Sequence, residues 1–367
     1  MVEDGGMTQA NDLTKPPERR SAGVIAGLRQ PLPWPTDRPF RILSIDGGGI
    51  KGIFPASVLT AFERELCGGA SAGRYFDLIA GTSTGGIIAL GLGLGMPASR
   101  ILELYMANGE AIFPPVTGPF RRLKRAWLST RRLLRYSYER EPLEVALETV
   151  FGDRLLGESE RRLCIPSFEG NYGEVQVFKT PHHPDFRLDW REKVVDVALA
   201  TAAAPSFFKV FRNQGRVFAD GGVWANNPIM IGLVDALSTT DVARRNIHIL
   251  SISCGDLDVP FSGGQLGAGG LIHWREIIKS AMHLASQNAT GQAGLLIGRD
   301  QVIRLEPSAD GARLEMDDVL SAKTLLPSLG ETVASQSLEK VRHLFETEAD
   351  LSPAYHGPRG ADPAYRV

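Results

Sequence analysis

Two strand-like segments of this chain each run directly into a glycine-rich loop and then into a helix-like segment. The first, FRILSI, stops at DGGG, and helical spacing follows in FPASVLTAFEREL. The second, FDLIA, reaches GTSTGG at residues 81–86 and continues into the apolar run IIALGLGL. A strand, a glycine loop and a helix in repeated order predict parallel strands in an α/β sheet.

The rest of the chain continues this pattern without an internal repeat or a clear linker. Strands are predicted at EVQVFKT, RVFAD, IHILSIS and DQVIRLEP, and helices at VVDVALATAAA, WREIIKSAMHLASQNA and SLEKVRHLFE. We therefore expect one domain over residues 39–350. A polar, proline-rich lead-in occupies residues 1–38, and residues 351–367 form a tail.

Composition excludes several classes of function. Lys plus Arg is 40 and Asp plus Glu is 42, so the net charge of −2 argues against bulk nucleic-acid binding. Cys67, Cys164 and Cys254 lie far apart, which fits neither a zinc site nor a disulfide framework and suits a reducing cytoplasm. The first thirty residues lack the apolar core of a signal peptide. We expect a cytoplasmic protein with no metal and no organic cofactor.

The first glycine loop, GGGIKG, contains Gly47, Gly48, Gly49 and Gly52. Its spacing matches G-x-G-x-x-G, which makes a dinucleotide-binding loop the obvious alternative. That interpretation requires an acidic residue near the end of the next strand, where this chain has GTSTGG instead. Unobstructed backbone N–H groups before a helix suit a developing negative charge, although the glycines could also serve close packing alone.

The second glycine loop matches the nucleophile-elbow pattern G-x-S-x-G, with Gly81, Ser83 and Gly85 at its three fixed positions. The pattern is short and also arises by chance. A strand before it and a helix after it are the context in which such a turn exposes the serine hydroxyl. The sequence therefore predicts Ser83 as a nucleophile.

The base that would activate Ser83 is harder to identify. No histidine stands where a base is expected, and a polar surface pair is the ordinary interpretation of the two adjacent ones. Asp220 instead ends a predicted strand and is followed by Gly221 and Gly222, so a carboxylate could approach Ser83 closely. Its ordinary role before glycine would be to cap a turn. The histidines are His182, His183, His248, His273, His283, His343 and His356.

The ordered set DGGGIKG, GTSTGG and DGG resembles the patatin-like phospholipase family, and the similarity extends from about Phe40 to Ser253. The resemblance implies a three-layer α/β fold with a mostly parallel central sheet flanked by helices. It also implies a Ser83–Asp220 dyad, an oxyanion hole from Gly48 and Gly49, and hydrolysis of acyl esters in membrane phospholipids. Many members have arginine at the position of Lys51, whose role stays open.

Among family members, the chain resembles the cytoplasmic bacterial enzymes, some of which are anti-phage effectors switched on by a cyclic dinucleotide. The implied partners are a membrane phospholipid as substrate and a cyclic dinucleotide as activator, with an oligomer compatible with both. The active enzyme would then be peripheral to the inner membrane. The resemblance assigns no residue to nucleotide binding.

The basic stretch from Phe120 to Arg140, FRRLKRAWLSTRRLLRYSYER, interleaves arginines with leucines and Trp127. A solvated helix whose leucines pack inward is the ordinary interpretation. Docking to anionic lipid headgroups and binding of a phosphate-rich ligand are the two functional alternatives.

Overall fold

The computed structural model describes residues 29–115, 136–255 and 277–349. Most of the basic stretch, residues 120–135, lies outside the described residues, as do His273, His356, the C-terminal tail and the lead-in up to residue 28. None of the helices within the described ranges combines the length and apolar character needed to cross a bilayer.

One sheet of eight strands forms the centre of the described structure, in the spatial order β5-β6-β3-β2-β1-β7-β8 with β4 also paired to β3. The strands are β1 (Phe40–Ile45), β2 (Leu78–Gly81), β3 (Arg162–Glu169), β4 (Glu174–Lys179), β5 (Phe211–Asn213), β6 (Arg216–Asp220), β7 (Ile247–Ile252) and β8 (Val302–Leu305).

The sheet is parallel in its centre and antiparallel on one side. β1 pairs in parallel with β2 and β7, β8 continues beyond β7, and β3 runs parallel to β2. β4 and β6 both pair with β3 in the antiparallel direction, and β5 pairs with β6 in the same way. The predicted α/β fold with a mostly parallel sheet is confirmed for the central strands, and the sheet as a whole is mixed.

Helices cover both faces of the sheet. Along β1, Leu43 and Ile45 belong to one buried cluster together with α1 and α2, whereas Phe40 and Ile42 belong to a second cluster with α7. This alternation is expected of a strand buried on both faces, and it produces three layers. The helices are α1 (Ile53–Leu66), α2 (Thr84–Gly93), α3 (Ala98–Ile112), α4 (Glu141–Phe151), α5 (Val194–Thr201), α6 (Gly222–Ala225), α7 (Ile229–Thr239), α8 (Ile277–Ile297), α9 (Ala309–Ala312) and α10 (Val319–Val341).

The packed structure extends beyond the segment boundaries that the sequence suggests. The last ten residues of the predicted lead-in, 29–38, lie against the sheet: Leu32 pairs with Thr240, and Trp34 is buried beside Phe40. The final helix, α10, begins at Val319 and continues through Pro327, so it starts well before the predicted helical segment SLEKVRHLFE. Both features extend the packed structure beyond what local patterns indicate.

Candidate active site

Ser83 lies in the tight turn between the end of β2 and the start of α2. Its backbone angles, φ 54° and ψ −121°, belong to a region that non-glycine residues rarely adopt. Such conformations cost about 1–3 kcal/mol and persist where the surrounding structure imposes them. The turn therefore has the strained strand-to-helix geometry of a nucleophile elbow.

The glycines on either side of Ser83 are required by close backbone approach. A Cβ on Gly81 would lie 2.1 Å from the carbonyl oxygen of Gly85, and one on Gly85 would lie 2.2 Å from the carbonyl oxygen of Ile45. No side chain fits in either place. The elbow is consequently pressed against the end of β1.

The Ser83 hydroxyl donates a hydrogen bond to the carboxylate of Asp220, with 2.7 Å between Oγ and Oδ2. Asp220 is the last residue of β6, and its other oxygen, Oδ1, accepts from the Gly222 N–H at 2.6 Å. Both side chains are buried. Two residues that are 137 positions apart in the chain thus form one hydrogen-bonded pair.

Burial raises the pKa of Asp220 to about 6, although the hydrogen bonds from Gly222 and Ser83 act in the opposite direction. The carboxylate form therefore predominates above pH 6. A carboxylate with a pKa close to neutrality is better suited to proton transfer than an ordinary aspartate is.

A second layer of hydrogen bonds holds the serine in place. The Ser83 N–H donates to Thr201 Oγ1 at 3.0 Å, and the Thr201 hydroxyl donates to the Pro166 carbonyl at 2.6 Å. The Thr82 hydroxyl donates to the Ala225 carbonyl. Sequence reasoning missed Thr201, because it lies in the predicted helix VVDVALATAAA and belongs to none of the glycine motifs.

The glycine loop follows β1 and becomes a short 3-10 helix at Gly49–Gly52. Gly47 N–H donates to the Asn226 carbonyl, and Ile50 N–H donates to the Met316 carbonyl. Between them, the amides of Gly48 and Gly49 have no hydrogen-bond acceptor among the described residues. Gly49 borders the same cavity as Ser83.

Lys51 is buried and donates to the carbonyl of Gly255. This contact joins the glycine loop to the turn that follows β7. The structure thus gives Lys51 a partner within the protein, which the sequence left open.

A pocket with about 510 Å³ of empty space opens beside Ser83, and its lining is almost wholly apolar. Among the described residues, the other hydroxyl side chains in that lining are Thr84 and Tyr105, which are hydrogen-bonded to each other. The apolar side chains lining the pocket include Ile50, Ile87, Ile112, Phe113, Leu143, Phe207 and Phe208. An apolar lining of this kind favours contact with the hydrocarbon part of a ligand whose polar end lies at the Ser83 hydroxyl.

No histidine lines this pocket within the part of the chain that the structure describes. The interpretation of His182 and His183 as a polar surface pair is wrong, because both rings are buried. His182 bonds to Asp235 and Thr180, and His183 Nε2 bonds to the carbonyl of Gln30.

One group of side chains in the described residues has the composition of a metal site, namely Cys164, His182 and Asp235. Both oxygens of Asp235 already have partners, however. Lys179 Nζ donates to Oδ1 at 2.6 Å, and His182 Nε2 is 2.7 Å from Oδ2. The Lys179 ammonium provides the positive charge that a metal ion would otherwise provide next to Asp235. Hydrogen bonds among these side chains therefore explain the cluster without a metal ion.

A three-layer α/β fold with a serine at a strand-to-helix turn, bonded to a buried carboxylate, defines the class of serine hydrolases. Within it, the chain belongs to the patatin-like phospholipase family, whose profile matches residues 43–233.

The chain is similar to several individual proteins. The chain is 33% identical over 333 residues to a "cGAMP-activated phospholipase" of Pseudomonas aeruginosa strain BWHPSA011 / Pa011, covering 87% of this chain and 96% of the relative. It is 38% identical over 229 residues to a protein of the same name from Escherichia coli strain TW11681, covering 59% and 62%. Human GIVD cytosolic phospholipase A2 superimposes with a TM-score of 0.38 at 12% identity, over 84% of this chain and 60% of that structure.

Proposed function

We propose that this protein is a lipid acyl hydrolase that cleaves acyl esters of membrane phospholipids, with Ser83 as nucleophile and Asp220 as base. The observation that carries the proposal is the 2.7 Å hydrogen bond between these two side chains, together with the position of Ser83 in the lining of an apolar pocket. The names of the bacterial relatives supply the substrate class.

Acylation follows from this arrangement. Asp220 accepts the Ser83 proton as Oγ attacks the ester carbonyl, and a new C–O bond forms while the carbonyl electrons move to oxygen. The tetrahedral intermediate collapses when the lysolipid oxygen leaves and takes the proton from Asp220. A base in direct contact with the nucleophile performs both transfers without a histidine between them.

The oxyanion of that intermediate would be stabilised by the amides of Gly48 and Gly49. Their lack of acceptors among the described residues, and the position of Gly49 at the pocket, support this role. Ser83 also precedes the ten-residue helix α2, whose N-terminus favours negative charge. Donors of this type typically contribute ~3–4 kcal/mol each to transition-state stabilisation.

Deacylation repeats the sequence with water as the nucleophile. Asp220 accepts a proton from the water as its oxygen attacks the acyl carbonyl. The acyl–Ser83 bond then breaks, Asp220 returns the proton to Ser83 Oγ, and a free fatty acid is released. During both steps the acyl chain would lie in the apolar pocket, where burial of each methylene contributes ~0.8 kcal/mol. No metal or organic cofactor is needed for these steps.

We also propose that a cyclic dinucleotide switches the enzyme on, as part of anti-phage defence. An unrestrained phospholipase in the cytoplasm would degrade its host's inner membrane, to which the active enzyme would bind peripherally. An activation of ~1,000-fold requires the ligand to prefer the active state, or an active oligomer, by ~4 kcal/mol. Two relatives that carry "cGAMP-activated" in their names support the ligand class.

The test uses the purified full chain with phospholipid vesicles, with and without cGAMP and a panel of other cyclic di- and trinucleotides. Wild-type protein should release fatty acid and lysolipid, and should react with a fluorophosphonate probe. Ser83→Ala should do neither. Loss of activity on replacement of one histidine, with Asp220→Ala still active, would indicate a histidine-dependent esterase. Nucleotide binding without probe labelling would indicate a binding module.

A further inference from the structure

Asp46, the residue between β1 and the glycine loop, holds a buried ion pair with Arg304 at the end of the sheet. Arg304 Nη1 donates to Asp46 Oδ1 at 2.9 Å, and Nη2 donates to Oδ2. The Asp46 side chain is 1% exposed and that of Arg304 is 15% exposed. Two parallel hydrogen bonds between a guanidinium and a carboxylate fix both position and orientation.

The arginine reaches Asp46 across an intervening strand. Arg304 lies on β8 opposite Ser251 of β7, and Ser251 lies opposite Ser44 of β1. On its way, Nη1 also donates to the Ser251 hydroxyl at 2.7 Å. The Arg304 side chain thus connects three adjacent parallel strands, β8, β7 and β1, near their carboxyl ends, where the glycine loop follows β1.

The backbone of Asp46 is held at the same place. Its N–H donates to the Ile252 carbonyl, and its carbonyl accepts from Cys254 Sγ. Two residues later, Gly48 is packed so tightly against Cys254 that a Cβ there would lie 2.3 Å from the cysteine Cβ. The Gly48 amide thus lies two residues from an anchored aspartate, in a part of the loop that is packed against Cys254.

The charge of Asp46 matters as much as its position. A buried carboxylate without a cationic partner is costly, and it would oppose the formation of an oxyanion on the neighbouring amides. The guanidinium of Arg304 offsets this charge through its two Nη groups, while its Nε donates to the exposed Glu306 carboxylate at 3.2 Å. Arg304 also lies outside residues 43–233, the part of the chain that the family profile matches.

We propose that Arg304 is a positioning residue for the reaction. It directs the Gly48 and Gly49 amides toward the oxyanion by anchoring Asp46, and it neutralises the Asp46 carboxylate. This inference rests on the proposed oxyanion role of the glycine loop.

The test is a set of four variants assayed where the wild type hydrolyses phospholipid: Arg304→Gln, Arg304→Lys, Asp46→Asn and the Arg304→Gln/Asp46→Asn double variant. Arg304→Gln should lower kcat by ~100-fold with KM changed less than ~3-fold, because the loss concerns the transition state. Adding Asp46→Asn should restore kcat by ~10-fold or more, since it removes the buried carboxylate that has lost the Arg304 guanidinium. Arg304→Lys should lie between, because lysine keeps the charge without the bidentate contact.

Arg38→Gln is the matched control, because the Arg38–Asp77 pair is similarly buried, at 18% and 0% exposure. Asp77 directly precedes β2, at the opposite end of the strands from Ser83. This variant should lower the melting temperature while leaving kcat of the folded protein unchanged. If Arg304→Gln behaves in the same way, or the double variant shows no recovery, the positioning role is wrong. Wild-type protein that neither hydrolyses phospholipid nor labels at Ser83 would instead refute the proposed function itself.

Discussion

At the scale of single residues, the burial of Asp220 raises its pKa toward neutrality, and the same burial lowers the stability of the fold when Asp220 is ionised. Its raised pKa means that the folded protein disfavours the carboxylate form more than the unfolded chain does. Above pH 6 the ionised group therefore lowers the free energy of unfolding, and below the ordinary carboxyl pKa of about 4 this loss disappears. The proposed reaction requires the ionised form of Asp220, which is the form that destabilises the folded protein.

Replacement of Asp220 by Asn should therefore abolish hydrolysis and yet raise stability at pH 8. A shift from about 4 to about 6 corresponds to at most ~3 kcal/mol, since one pKa unit is about 1.4 kcal/mol. The gain should shrink as the pH falls through 6 and vanish near pH 4. Urea unfolding of both proteins across this range measures it. A variant equally destabilised at every pH would mean that the lost charge-assisted hydrogen bonds dominate.

The same pKa predicts how activity depends on pH. If Asp220 must be ionised to accept the Ser83 proton, kcat/KM should be constant above about pH 7 and fall tenfold per unit well below pH 6. Initial rates with a soluble monomeric ester, which avoids changes in vesicle charge, provide the measurement. A constant rate down to pH 4.5 would exclude a base with this pKa.

A substitution in the glycine loop is informative only when a second substitution removes the clash that it creates. Gly48→Ala should lower kcat by ~100-fold, but a methyl group there collides with Cys254, so loop displacement alone is sufficient. Cys254→Gly removes the colliding atoms while the Gly48→Ala variant keeps its N–H. The double variant should consequently recover most of the lost kcat and melting temperature. Recovered stability with no recovered kcat would argue against this amide as an oxyanion donor.

The two residues of the proposed catalytic pair could be singled out from the sequence, whereas the residues that hold them in place could not. Ser83 and Asp220 sit in short glycine motifs whose local geometry limits what they can do. Thr201 and Arg304 carry no such mark, because their contacts, to Ser83 and to Asp46, depend on the packing of the sheet over separations of 118 and 258 residues.

At the scale of elements, the parallel strands followed by glycine loops were predictable. On the antiparallel side, β4 and β6 were predicted as strands, whereas β3, β5 and the antiparallel pairing were not. β1 and β2 are buried apolar runs that end at turn residues, which is a strong local signal. β3 contains Pro166 yet lies inside the sheet, between β4 on one side and β2 and β6 on the other. A proline inside a run normally argues against a central strand, so the local rule misleads here.

The interpretation of His182 and His183 as surface residues was wrong for a related reason. The segment PHHPDF looks polar and exposed, but His182 pairs with Asp235 of α7, which is 53 residues further along the chain. Lys179 of β4 donates to the same carboxylate and supplies the cationic charge. Burial alone would raise the pKa of Asp235, but the charges and hydrogen bonds of His182 and Lys179 hold it well below its usual range.

Loss of this network should destabilise the protein without touching the chemistry. Asp235→Ala leaves the Lys179 ammonium and the His182 ring without their shared partner, which for a buried pair costs ~3–5 kcal/mol. Because the pKa of Asp235 is lowered, the difference from wild type should be full above pH 5 and decrease below pH 4. Urea unfolding gives the stability, and kcat of the folded variant should match wild type. Asp153→Ala, which breaks an exposed pair with Lys193, should leave both unchanged.

At the scale of the whole molecule, the sheet brings distant segments to one edge. The ends of β1 and β2, together with Asp220 at the end of β6, surround Ser83, and Arg304 reaches the same edge from β8. Parallel strands place their carboxyl ends together, and ligands of open α/β sheets bind there. The fold class therefore predicts where the site lies, although it does not predict which late strand completes it.

The proposed nucleotide switch predicts a property of the whole chain that can be measured without lipid. A ligand that binds the folded state only, at 100 times its dissociation constant, adds ~2.7 kcal/mol to the free energy of unfolding. For a domain of this size, that corresponds to a rise of several degrees in melting temperature. The Ser83→Ala variant should show the same rise with cGAMP as wild type, because the activator need not contact the nucleophile. A shift in wild type that is lost in Ser83→Ala would place the nucleotide in the catalytic pocket. No shift in either protein, with hydrolysis equally fast with and without cGAMP, would rule out gating by this ligand.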